Sequence, residues 1–254
     1  MSADLEARPD ETLDRLTSRM RILQKRRGHR AATDDTILAW VAAGARPGAA
    51  RILDLGTGKG TVAMLLLQRL PGARAVGVEA VAASFDLAAR NAALNELSGR
   101  FDPRLGDLRD PGILAGEAPF DLVTGAPPYQ PLGSGVLPID ETRAAGRFEL
   151  RGGVRDYAAA AALHLDDRGA AVILMDGLER SLDRAREAFD AAGLSVHRVV
   201  HVRPLPCAAP KYRVLVAERR PAPEVADEEL CLRREPGGAF SEEHEAVRRA
   251  LDLA

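Results

Sequence analysis

Apolar positions in this chain fall into short dense runs, and between them they recur at helical spacing. Residues 51–55 form the first run that reads as a strand, and the apolar segment 60–70 behind it reads as a helix. The pattern repeats with a strand at 73–79 and a helix at 81–97, where Phe85, Leu87, Ala88, Leu94 and Leu97 supply one apolar face. A strand at 100–105 and a short helix near 110–116 follow. Residues 121–124 predict a fourth strand, 153–165 a helix and 170–175 a fifth strand. A helix at 178–192 ends before Gly193, which suits a C-cap. Two strands at 195–202 and 212–218, joined by the loop 203–211, close the series. Strands alternating with helices imply an α/β fold with a mostly parallel sheet and right-handed crossovers.

Two regions lie outside this alternation. Residues 1–45 read as a basic N-terminal extension, with seven Lys or Arg side chains and no acid between 15 and 30. The extension ends in a helix beginning near Thr33-Asp34, either of which can serve as N-cap. Residues 221–254 read as a small C-terminal piece: a linker at 221–224, a strand near 229–234, the turn Gly237-Gly238 and a helix from about 241. The core is then 46–220. Within it, the stretch 131–153 is rich in Gly, Pro and charge, and a loop of that length is usually functional.

Composition narrows the function classes. A chain of 254 residues supports one large α/β domain, and a net charge of −2 gives no global attraction to nucleic acid. Cys207 and Cys231 form no CxxC pair, and the five histidines make no metal-ligand spacing, so no metal is expected. Reduced thiols, no apolar leader and no membrane-length apolar stretch predict a cytoplasmic protein with no membrane partner.

The chemistry concentrates where the first strand runs into Asp54-Leu55-Gly56-Thr57-Gly58-Lys59-Gly60. Glycines at such a turn let backbone approach a ligand closely. A P-loop requires Ser or Thr after the lysine, where Gly60 stands, and the dinucleotide fingerprint requires glycine where Thr61 stands. The remaining pattern, D-x-G-x-G-x-G, resembles the first motif of class I S-adenosylmethionine (SAM) methyltransferases. That resemblance implies SAM as cofactor, with Asp54, Gly56, Thr57, Gly58 and Gly60 at its methionine end. It also implies a Rossmann-like fold: a seven-stranded, mostly parallel sheet with helices on both faces and a reversed last strand. Glu79 closes the second strand about 20 residues beyond the loop, the distance of a ribose-binding acid. Asp107 and Leu108 follow the third strand, where the family places the adenine.

After the fourth strand comes Gly125-Ala126-Pro127-Pro128-Tyr129. It is similar to the Asn/Asp-Pro-Pro-Tyr motif of methyltransferases acting on exocyclic or amide nitrogens. In that motif the Asn or Asp side chain and the first proline carbonyl accept hydrogen bonds from a poorly nucleophilic amino group, and the aromatic ring stacks on the base. Fixed proline dihedrals hold the acceptors in place. The segment Gln24-Lys25-Arg26-Arg27-Gly28-His29-Arg30, then Thr33-Asp34 and Ile37-Leu38-Ala39, resembles the bacterial family that methylates the adenine amino group beside the anticodon of valine tRNA. Arg90-Asn91-Ala92-Ala93-Leu94-Asn95 and Phe120-Asp121-Leu122-Val123 extend the likeness, which runs from about residue 20 to the end. It implies RNA, with tRNA leading, as partner, and Lys25, Arg26, Arg27 and Arg30 as RNA contacts.

One departure stands out. Alanine at 126 cannot accept a hydrogen bond, so the catalytic set Ala126, Pro127, Pro128 and Tyr129 has one acceptor fewer than the family pattern. Three outcomes follow. A loop carboxylate such as Asp140 or Glu141 replaces the acceptor, the substrate is a small molecule or a protein, or the protein binds SAM and RNA with weak turnover.

Overall fold

A computed structural model of the chain describes residues 5–131, 133, 135–138 and 144–253. Among these residues, ten strands and six α-helices follow in order: β1 (Glu11–Arg15), β2 (Arg21–Lys25), α1 (Thr33–Ala45), β3 (Arg51–Leu55), α2 (Thr61–Arg69), β4 (Arg74–Glu79), α3 (Ala82–Leu94), β5 (Phe101–Leu105), β6 (Phe120–Gly125), α4 (Val154–His164), β7 (Leu165–Asp176), α5 (Glu179–Ala191), β8 (Ser195–Arg203), β9 (Tyr212–Glu218), β10 (Ala226–Cys231) and α6 (Glu242–Ala250). The short helix expected near 110–116 is a single 3₁₀ turn, Pro111–Leu114.

The main sheet has eight strands in the order β10-β8-β9-β7-β6-β3-β4-β5. Only β9 runs against its neighbours, so it supplies the expected reversal. The eighth strand is β10, which adds parallel to the outer edge of β8. The strand expected near 229–234 is therefore Ala226–Cys231, and it continues the main sheet. Its sequence Ala226-Asp227-Glu228-Glu229 is polar and exposed, as suits an edge strand, and carries little strand signal.

The central strands are apolar on both sides because helices cover both faces. Along β3, Ile52 joins one apolar cluster and Leu53 and Leu55 join the other. On β7, Val172 and Leu174 face the first cluster, and Ala171, Ile173 and Met175 the second. Helices α1, α2 and α6 pack in the first cluster through residues such as Leu38, Leu65 and Val247; α4 and α5 pack in the second through Val154 and Phe189. The α5 helix ends at Ala191, and Gly193 at φ +74° lets the chain turn back.

The N-terminal region is an antiparallel hairpin of β1 and β2 leading into α1. The N-cap of α1 is Ala32, one residue before Thr33, and Asp35 accepts from its backbone N–H at 3.1 Å. Two of the cations of residues 15–30 find carboxylates just upstream, and Arg19 pairs with Asp252 at 3.0 Å. Lys25 Nζ lies 2.7 Å from Asp10 and 3.4 Å from Glu11, and Arg30 pairs with Asp14 at 2.9 Å. No helix is long and apolar enough to cross a membrane, and no group of three or more metal-binding side chains occurs among the described residues.

Candidate cofactor and substrate site

The chain order reverses between β3 and β6: β4 and β5 lie to one side, β7 to the other. Ligands of open α/β sheets bind at the carboxyl ends of strands at such a point. Here Leu55 sits opposite Gly125 in register, so the turns beginning at Gly56 and Ala126 leave the sheet side by side. A cleft opens between them.

Its floor is the glycine loop. Gly56 takes φ +63°, and a Cβ there would meet the Tyr157 hydroxyl at 2.1 Å, so both dihedral and space exclude other residues. Gly58, at φ +58°, has open space where a Cβ would be, leaving its backbone accessible to a ligand. Asp54 is buried below the loop and accepts from the Thr57 hydroxyl at 2.6 Å and from Thr124 on the adjacent strand at 2.8 Å. Burial pushes its pKa up to about 6 against these two hydrogen bonds. Glu79, at the end of β4, accepts from Gly58 N at 2.8 Å and Val81 N at 2.7 Å. Those bonds hold the glycine loop and the entry to α3 on one carboxylate. Burial raises the Glu79 pKa, and the backbone donors oppose the shift.

Asp107 is placed differently. Gly106 and Leu108 line the cleft, while the Asp107 carboxylate is engaged by the Arg109 side chain at 2.8 and 2.6 Å and by its backbone N–H at 2.9 Å. Hydrogen bonding from Arg109 holds its pKa below the usual carboxylate range.

Ala126, Pro128 and Tyr129 border the same cleft as Asp54, Gly56, Thr57, Gly58 and Glu79. Pro127 between them is buried. Burial, with Asp34 as the foremost neighbouring charge, raises the Tyr129 pKa and keeps its phenol neutral. The far wall comes from Ala145, Gly146, Arg151 and Gly152, the described end of the long loop. Asp140 and Glu141 lie outside the described residues. Lys25, Arg26, Arg27 and Arg30 do not line the cleft; Arg26 and Arg27 are exposed on the hairpin end beyond it.

Sequence reasoning missed four contributors. Tyr157 on α4 is buried, borders the cleft and packs under both Gly56 and Gly125; its signal was a lone aromatic in an alanine-rich helix. Asp34, read as a helix-start and motif residue, and its neighbour Asp35 line the cleft, and burial raises the Asp34 pKa. Lys59 lines it too.

A fit to SAM rests on this donor set. The open loop at Gly58 offers backbone room, Glu79 retains lone pairs for ribose hydroxyls, and the Thr61 hydroxyl is buried at the cleft wall without a protein partner. Comparison with known proteins agrees. Residues 52–130 match a methyltransferase domain. Over 204 residues, 78% of this chain and 77% of the relative, the sequence is 33% identical to a tRNA1(Val) (adenine(37)-N6)-methyltransferase of Porphyromonas gingivalis. A release factor glutamine methyltransferase of Mycolicibacterium smegmatis is 32% identical over 165 residues, 63% of this chain and 57% of that one. The fold matches the crystal structure of a predicted O-methyltransferase from Agrobacterium tumefaciens at a TM-score of 0.64 and 19% identity, covering 87% of this chain and 98% of that one. With its switch-point cleft built from the motif-bearing strand ends, this chain is a class I SAM-dependent methyltransferase and belongs to the family of the tRNA1(Val) (adenine(37)-N6)-methyltransferases.

Proposed function

We propose that this enzyme methylates an adenine amino group of tRNA in the cytoplasm. The observation that carries the reading is the cleft itself, in which Ala126, Pro128 and Tyr129 face the glycine loop across the β3–β6 switch point. A relative that matches 78% of the chain is named for that reaction.

Bound SAM supplies an electrophilic methyl group on a sulfonium. Asp54, Gly56, Thr57, Gly58 and Gly60 hold the methionine end, Glu79 takes the ribose hydroxyls, and Leu108 packs beside the adenine. Asp107 reaches that adenine only while sharing its carboxylate with Arg109. On the substrate side Tyr129 stacks on the flipped base and the Pro127 carbonyl accepts one amino hydrogen. Orientation and desolvation then do most of the catalysis, with no covalent intermediate. Lys25, Arg26, Arg27 and Arg30 lie on the hairpin where the RNA backbone would pass.

A protein or small-molecule substrate is the second reading, because Ala126 lacks the side-chain acceptor. Release factor glutamine methyltransferases are among the relatives. Incubation with labelled SAM and, separately, total RNA, cell protein and metabolite extract tests both. Label in tRNA, mapped to N6 of an adenine, is expected; label confined to protein or metabolites overturns the proposal.

A further inference from the structure

Lys59 is a buried cation at the wall of the cofactor cleft. Its residue is 6% exposed, yet its Nζ makes no hydrogen bond or ion pair among the described residues. The chain has only three lysines among 35 Lys and Arg residues; of the three, Lys59 is the buried one. The backbone cannot swing it away, since the Lys59 carbonyl accepts from Asn91 Nδ2 at 3.0 Å. A lone buried ammonium is costly unless a counter-charge arrives. Burial lowers its pKa, while Asp35 and Asp34, too far for an ion pair, oppose the drop.

The rest of the cleft explains which counter-charge is wanting. Four carboxylates line it: Asp34, Asp35, Asp54 and Glu79. SAM brings an α-ammonium and a sulfonium, which those acids suit, and one carboxylate, which they repel. The other basic lining residues, His29 and Arg151, are exposed. Thr61, two residues beyond Lys59, adds a buried hydroxyl with no protein partner.

We propose that Lys59, assisted by the Thr61 hydroxyl, binds the methionine carboxylate of SAM and makes the enzyme select cofactors that carry it. The inference rests on SAM being the cofactor. It reverses the order expected from net charge. Decarboxylated SAM has one more positive charge than SAM, so an acidic cleft without a carboxylate clamp would hold it at least as tightly.

Calorimetry on the full chain with SAM and with decarboxylated SAM tests this. Wild type should bind SAM roughly tenfold or more tightly than the decarboxylated form, the scale of a charge-assisted hydrogen bond. Lys59→Met should weaken SAM by a similar factor, leave decarboxylated SAM within about twofold, and so abolish or invert the preference. Equal affinity of wild type for the two ligands overturns the inference, and this arm decides the matter if the variant does not fold. Equal weakening of both ligands in Lys59→Met also overturns it, because that is the signature of a damaged loop. If wild type binds neither ligand, the cofactor assignment falls and takes this inference with it.

Discussion

Asn91 on α3 reaches two parts of the protein at once: its Nδ2 donates to the Lys59 carbonyl and to the Leu23 carbonyl, each at 3.0 Å. Its Oδ1 accepts from Leu23 N at 2.7 Å. The side chain therefore completes the edge of β2 as a neighbouring strand would, while tethering the cofactor loop to the same point. Asn95, one turn on, repeats the pairing with Arg21 N and O at 2.9 and 2.8 Å. Asn91→Ala leaves a fully buried Leu23 with backbone groups unpaired. A loss of about 2–3 kcal/mol in urea unfolding is expected. SAM affinity should fall as well, because the loop loses its tether. Unchanged stability and affinity would show that water replaces the amide.

Arg90 precedes Asn91 and docks the hairpin from the other side. Its Nη1 lies 3.0 Å from both oxygens of Glu11; the arginine side chain is 6% exposed and the glutamate 0%. Breaking a buried pair costs more than replacing it. Glu11→Ala should cost about 3–5 kcal/mol, and the double variant Arg90→Met, Glu11→Leu should recover much of that loss. Chemical denaturation of the single and double variants checks the sign. A double variant as unstable as the sum of the singles would mean that the two charges do not couple and that a stranded charge is not the cause of the loss.

These contacts mark where the sequence was and was not legible. The parallel core could be read because β3 and β7 bury both faces, so their apolar runs are unbroken and the helices between them keep their period. The hairpin could not: Glu11-Thr12-Leu13-Asp14-Arg15 mixes charge with apolar positions, and its pairing depends on Asn91 and Asn95, some 70 residues away. Residues 15–30 looked like cations without counter-charge because Asp10, Glu11 and Asp14 precede the run and meet it only once the hairpin folds. Within the site, motif residues on strand ends were legible by position. Tyr157 and Asp34 were not, because helices carry them to the cleft and nothing local sets them apart.

Asp54 makes stability and cofactor binding depend on pH in opposite directions. Its folded pKa, about 6, exceeds the ordinary aspartate value of 3.8, so the folded state holds the proton more tightly. Its ionisation therefore destabilises the fold as pH rises from about 4 to 6, and the penalty is complete above 6, on the order of 2–3 kcal/mol. Cationic SAM should favour the ionised form, so affinity should fall as pH drops through 6. Asp54→Asn should remove both dependences in thermal unfolding and calorimetry across pH 4.5–8. A variant with the wild-type pH profile would assign the titration to another group.

The RNA contribution of the hairpin should be uneven. Lys25 is held by Asp10 and Glu11, and Arg30 by Asp14, whereas Arg26 and Arg27 are exposed. Each phosphate contact adds about −0.7 to −0.9 to the slope of log affinity against log salt. Replacing Arg26 and Arg27 with alanine should flatten the tRNA slope by about 1.4–1.8. Lys25→Ala should change it less and loosen the hairpin instead. A slope untouched by the double substitution would move the RNA contact away from this segment.

Ala126 is where family pattern and residue chemistry disagree, and its place on the cleft lets the disagreement be tested. It follows Gly125, which pairs in register with Leu55, so its short side chain borders the glycine loop where the family places an amide acceptor. If the adenine chemistry persists with one acceptor fewer, Ala126→Asn should raise turnover on tRNA. The gain should approach two to three orders of magnitude, about 2.7–4 kcal/mol, because the restored bond strengthens as charge develops on nitrogen. If Asp140 or Glu141 of the long loop supplies the acceptor, Ala126→Asn should do little, while alanine at the responsible position should abolish activity. If the substrate is not adenine, Ala126→Asn should slow the native reaction, since the added amide narrows a cleft shaped around a methyl group. Single-turnover rates for these three variants, on tRNA and on whichever fraction takes up label, separate the cases: a gain marks the first, a loss at Asp140 or Glu141 the second, and a slowed native reaction the third.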